Sequence, residues 1–205
     1  MSTPSVPRTA EPTARLGIRD LVTIGIFTAI LVVLSIVTGT VTAFHPVAYL
    51  FDPALLALLG GVFFLLVVLR VRRTGAVLLT SVLFGLAWGL LGGWLLAGLM
   101  LVAGVLGELV VRRTGYRGAT GPTVAWVLFT LANYGGAFGT AWVATDSYIA
   151  SGERSGQDPE YVTAVVDAIH SGTALVALVL AVLAAVAGIA VARRILRKHV
   201  ARAAA

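Results

Sequence analysis

The sequence predicts an all-α integral membrane protein: a six-transmembrane-helix bundle with both termini cytoplasmic. Three observations carry this. Of 205 residues, 59% are hydrophobic and 12% charged, against roughly 45–50% and about 25% in an ordinary soluble domain. Uncharged stretches run from Leu21 to Phe51, Pro53 to Leu69, Thr74 to Gly107, Gly118 to Thr145 and Ala168 to Ala192, and a membrane-crossing helix takes about 20 residues. Outside the segment 146–167, the basic residues fall into four clusters: Arg8, Arg15 and Arg19; Arg70, Arg72 and Arg73; Arg112, Arg113 and Arg117; and Arg193, Arg194, Arg197, Lys198 and Arg202. The positive-inside rule places all four in the cytoplasm.

The N-terminal residues 1–17 are expected to form a disordered cytoplasmic tail. Met1 to Ala14 is rich in Pro, Ser and Thr and has no apolar run, so it does not read as a cleavable signal peptide. The first helix is expected at 20–42, with Asp20 favourably placed against its dipole. Asp52 and Pro53 form an N-cap and first-turn pair for a second helix at 53–70; contact with a ligand is the alternative role for Asp52. Thr74 to Gly107 would be about 50 Å long as one helix and would put two Arg clusters on opposite sides. A hairpin breaking near Gly92 and Gly93 avoids this and gives helices at 76–92 and 94–111. Glu108 precedes Arg112 by one turn in the favourable order for a local ion pair. The fifth and sixth helices are expected at 122–145 and 168–194, the transmembrane domain thus covering 18–198 and a basic cytoplasmic tail 199–205.

The opposite face is acidic, with Asp52, Asp146, Glu153, Asp158, Glu160 and Asp167 against Arg154 alone, a net of −5. The inner face carries fourteen basic residues against Glu11, Asp20 and Glu108, a net of +11. The basic balance is therefore topology, and it leaves no basic surface interleaved with aromatics of the kind that binds nucleic acid. With no Cys in the chain, disulfides, thiolate nucleophiles and thiolate metal centres are excluded.

Small residues recur four apart: Gly25 and Ala29; Gly85, Gly89 and Gly93; Ala103 and Gly107; Gly135 and Gly139; Ala177, Ala181 and Ala185. Such spacing brings helix backbones close, either within the bundle or along a seam for a partner subunit. The seam reading is most attractive for Gly25 and Ala29. Within the predicted spans, Asn133 and the adjoining Tyr134 are the polar residues least easily assigned to packing; an amide in lipid needs partners or offers donors and acceptors to a ligand. Trp88, Trp94, Trp126 and Trp142 are candidates for the interfacial belt, while Trp94 and Trp142 also suit an aromatic wall. His45, His170 and His199 have no metal-site spacing. Asp158, Pro159 and Glu160 read as a helix start, in a segment that either lies at the interface or covers the bundle as a lid.

No Asp, Glu, Lys or Arg lies at the middle of a predicted span, which argues against ion-coupled transport by this chain alone. There is no G-x-x-x-x-G-K-[ST], G-x-S-x-G or H-E-x-x-H, so no enzymatic activity and no cofactor are expected.

The stretch Arg19-Asp20-Leu21-Val22-Thr23-Ile24-Gly25-Ile26-Phe27-Thr28-Ala29-Ile30 resembles the opening of the MptD, or Trep_Strep, family of substrate-binding S components of energy-coupling factor (ECF) transporters. Further similarities follow in order: a Pro-containing outer loop into the Leu55 to Arg73 helix and Gly75, Gly107-Glu108-Leu109 before Gly115-Tyr116, and a fifth helix leading to Tyr148. The resemblance covers most of 19–195. It implies a six-helix subunit that captures a small micronutrient from outside and works with a membrane coupling subunit and two ABC-type ATPase subunits. On several S components, small residues four apart on the first helix contact the coupling subunit, and Gly25 and Ala29 are the nearest equivalent. The substrate-facing candidates are Asn133, Tyr134, Trp142, Tyr148, Trp94 and His170. The alternatives are a self-sufficient secondary carrier or channel, or a non-transport membrane scaffold.

Overall fold

A computed structural model describes residues 16–116 and 118–202, with side chains through residue 196. The expected N-terminal tail falls mostly outside these residues, whereas 199–202 of the expected C-terminal tail continue the last helix, which runs to Arg202 and not to 194. Among the described residues the regular structure is entirely helical: α1 (Ile18–Thr42), α2 (Pro46–Tyr49), α3 (Asp52–Val71), α4 (Ala76–Leu90), α5 (Trp94–Thr114), α6 (Thr120–Val143), α7 (Thr145–Arg154), α8 (Pro159–His170) and α9 (Gly172–Arg202). Four stretches are long and apolar enough to cross a membrane: Ile18–Thr42, Pro46–Val71, Trp94–Thr114 and Gly172–Leu196. The apolar α4 is shorter, at 15 residues, and packs along α5.

The expected break at Gly92 and Gly93 is present. Leu91 to Gly93 turn the chain, and Gly92 adopts φ +99°, a left-handed conformation that a side chain would strain. Shared small residues zip the hairpin together. A Cβ on Gly85 would lie 2.8 Å from the Met100 Cβ, and one on Gly104 would lie 2.9 Å from the Ser81 Cβ. Ala177, Ala181 and Ala185 of α9 are likewise buried, and Gly188 sits against the backbone of α3 at Ala57 and Leu58. These stripes are consumed by packing within the bundle. Gly25 differs: nothing lies within 4 Å of a Cβ built there, and Ala29 is exposed.

The local ion pair expected of Glu108 does not form, while Asp20 stands at the start of α1 as expected. Glu108 does not spend its charge on Arg112. It is 5% exposed and accepts N–H bonds from Val77 at 3.0 Å and Leu78 at 3.4 Å, together with the Tyr116 hydroxyl at 2.6 Å. The start of α4 carries unsatisfied N–H groups, and a buried carboxylate gains more from them than from an exposed guanidinium. Asp20 accepts the Gly17 N–H at 3.0 Å and pairs with Arg73 at 3.1 Å, fastening the start of α1 to the α3–α4 turn.

The segment after α6 forms two helices instead of one. The Asp158 carboxylate caps α8 by accepting the Glu160 N–H at 2.9 Å. The last long helix starts at Gly172 and not at 168, because Ser171 is extended and its Oγ accepts the Thr173 N–H. Trp126 is not an interfacial residue. It is fully buried, donates to the Ala57 carbonyl at 2.8 Å and stacks on Phe129 with centroids 4.8 Å apart. Phe64 and Phe84 complete this aromatic core between α3, α4 and α6.

Candidate functional site

At the end of the bundle where α1, α4 and α6 finish and α3 and α5 begin, the helices enclose a cavity of about 410 Å³. Its walls come from Ser35 and Gly39 of α1, Asp52 of α3, Trp88 of α4 and Leu96 of α5. On α6 they are Asn133, Gly136, Ala137 and Thr140, and on α7 Ser147, Tyr148, Ser151 and Arg154; Tyr49 and the turn Leu91–Gly93 complete the lining. The volume lies within the range of small-molecule sites, roughly 300–1,000 Å³. A smaller adjoining recess of about 240 Å³ shares Ser35, Gly39, Tyr49 and Trp88 and extends to Gln157 and Tyr161.

Local sequence explains why space survives here. Gly39 removes a side chain beside the Asp52 carboxylate and Gly92 does the same at the rim, whereas Gly136 lets α6 pack closely on Leu96 of α5, where an added Cβ would lie 2.5 Å away. Trp88 is held by an indole N–H bond to the Ser35 Oγ at 3.3 Å, so one wall is a positioned aromatic face. Tyr49 packs edge-on against Phe138 with centroids 5.5 Å apart. Burial pushes the Tyr148 phenol above its ordinary pKa, with Tyr49 and Tyr161 adding to the effect, so its hydroxyl remains a proton donor at neutral pH. Asn133 is 6% exposed, and no side-chain hydrogen bond satisfies its amide among the described residues. Asp52 does not take the N-cap position that its sequence neighbourhood predicts. The N-cap position of α3 is instead Phe51, and the Asp52 Oδ1 is buried without a hydrogen-bond partner.

Of the six candidates read from the sequence, Asn133 and Tyr148 line the cavity. The other four lie outside its walls. Tyr134 turns the opposite way, where its hydroxyl donates to the Ala174 carbonyl at 2.7 Å. Trp142 is 54% exposed and packs on the His170 ring with centroids 4.9 Å apart. Trp94 is 69% exposed beside Gly89. Sequence reasoning gave no site role to Tyr49, Trp88 or Arg154 and gave Asp52 one only as the alternative to a cap; Gly39, which faces Asp52, was the available signal.

The opposite end holds Arg70, Arg72, Arg73, Thr114 and Tyr116 around a second, more open hollow. Burial and the Glu108 carboxylate push the Tyr116 phenol up to about 12. Arg193 donates to the Gly118 carbonyl there, joining α9 to the α5–α6 loop.

A bundle that is all-helical among the described residues, with several helices of membrane length and a cavity of mixed aromatic and polar lining at one end, defines an integral membrane protein. Residues 18–202 match the Trep_Strep family, described as hypothetical bacterial integral membrane proteins, and the chain belongs to that family. Neither a curated protein nor a solved structure matches the chain.

Proposed function

We propose that this protein is the substrate-capture (S) subunit of an ECF-type ABC nutrient importer. In this reading α1, α3, α4, α5, α6 and α9 are the six spans of a cell-membrane protein, both termini are cytoplasmic, and the cavity opens outward. A membrane coupling subunit and two ABC-type ATPase subunits supply the energy. The chain performs no chemistry on what it binds.

The observation that carries this is the cavity itself, bounded toward the basic end by packed aromatics. One turn below Asn133 on α6, Phe129 joins Trp126, Phe64 and Phe84 with ring centroids 4.8–6.1 Å apart. A site open at one end and plugged at the other suits capture better than conduction. The placement of the charges supports the orientation, since the cavity lies at the acidic end and the Arg clusters at the other. Gly25 and Ala29, unused by internal packing, are the candidate docking seam for the coupling subunit.

The test is gentle extraction of the full chain from its native membrane. ATPase and coupling subunits should co-purify, and mass spectrometry should find a retained small molecule that Asn133→Ala loses. Absence of both partners and ligand overturns the proposal, as does ion-driven transport by the isolated chain in liposomes without ATP.

A further inference from the structure

Resting on the capture reading, we propose that the ligand of this cavity is a small organic cation, its charged nitrogen seated against Asp52 and its body between Tyr49, Trp88 and Tyr148.

The two bundle carboxylates are treated in opposite ways. Glu108 receives three donors. Asp52 lines the cavity with a buried Oδ1 that lacks a hydrogen-bond partner; the Thr38 hydroxyl donates to the carboxyl, and among the described residues Asp52 forms no ion pair. A carboxylate withdrawn from water requires donors or an opposite charge. The space beside it is kept open by Gly39, where an added Cβ would stand 4.0 Å from that oxygen. Arg154 also lines the cavity, but from the exposed last turn of α7, and makes no salt bridge to Asp52.

The remaining walls narrow the chemistry. Tyr49, Trp88 and Tyr148 are aromatic, and the faces of such rings attract a cation. A bare divalent ion would need several oxygen ligands, and among the described residues no cluster of three His, Asp or Glu is placed to hold one. Asn133 offers uncharged donors and acceptors at the inner end. The net −5 of the surrounding face attracts cations toward the mouth.

The test uses the full chain in phosphatidylcholine nanodiscs with three probes of similar size: benzyltrimethylammonium, benzyl alcohol and phenylacetate. Quenching of tryptophan fluorescence should show saturable binding of the ammonium at least tenfold tighter than the alcohol, with no binding of the carboxylate. Asp52→Asn should weaken the ammonium at least tenfold, and Gly39→Leu, which fills the space beside the carboxylate from another helix, should do the same. Equal binding of the alcohol, preference for phenylacetate, no ammonium binding, or an ammonium affinity indifferent to both variants overturns the inference. A neutral or anionic molecule retained by the native protein overturns it while leaving the capture reading standing; loss of both partners and ligand overturns that reading instead.

Discussion

The Tyr116 hydroxyl donates a 2.6 Å hydrogen bond to Glu108 Oε1, while Glu108 Oε2 takes the N–H groups of Val77 and Leu78. One carboxylate thus joins α5, the start of α4 and the loop entering α6. Replacing Tyr116 by Phe removes a single charge-assisted bond at a half-buried position and should cost about 1 kcal/mol. Glu108→Ala strands buried donors as well and should cost about 3 kcal/mol. Chemical unfolding in detergent checks both. The Tyr116 pKa in the folded protein is about 12 against an ordinary 10, so its contribution is fully present below pH 10 and is lost as pH rises through about 12. The stability gap between the wild type and Tyr116→Phe should therefore close over that interval.

Small residues should separate into those the fold needs and those it does not. A Cβ on Gly85 would meet the Met100 Cβ at 2.8 Å, so Gly85→Val overpacks the α4–α5 hairpin and should cost about 1–3 kcal/mol. Gly25 has open space around it. Gly25→Val should leave the melting temperature of the isolated chain within a degree or two and sharply reduce recovery of partner subunits in a pull-down. An equal loss of stability in both variants would remove the case for a seam on α1.

The tryptophans should report the cavity unequally. Trp88 lines it and is bonded to Ser35, whereas Trp94 and Trp142 are exposed elsewhere and Trp126 is buried in the aromatic core. Ligand binding should quench wild-type emission, and Trp88→Phe should abolish most of that response. Trp94→Phe and Trp142→Phe should preserve it.

Charge placement made the long helices legible. Returning the chain to the Arg112 cluster required a turn between Thr74 and Gly107, and it lies at Leu91–Gly93. Rotational phase was much less legible. The helix α6 has apolar and small residues around most of its circumference, so the pattern gives no single inward stripe. Asn133 and Tyr134 were grouped as neighbours in sequence, although successive helix positions point about 100° apart. The role of Glu108 depended on contacts 8 to 31 residues away, and that of Asp52 on the absence of a partner for its Oδ1. Local spacing offered a cap for one and an ion pair for the other, and neither formed.

The divergence at Asn133 and Tyr134 gives a pair of adjacent substitutions with opposite signatures. Tyr134 anchors α6 to α9 through the Ala174 carbonyl and packs on Phe138 with centroids 5.1 Å apart. Tyr134→Phe keeps the ring and loses the bond, so it should cost about 0.5–1.5 kcal/mol in unfolding and leave ligand retention intact. Asn133 makes no side-chain bond that its loss would strand, and its amide faces the cavity. Asn133→Ala should therefore change stability by less than about 1 kcal/mol and lower ligand affinity by roughly tenfold, as expected for about 1.4 kcal/mol of lost hydrogen bonding. Unfolding curves and mass spectrometry of the retained molecule, run on the same two preparations, check both halves; the reverse pattern would move the binding site to the α8–α9 side of α6.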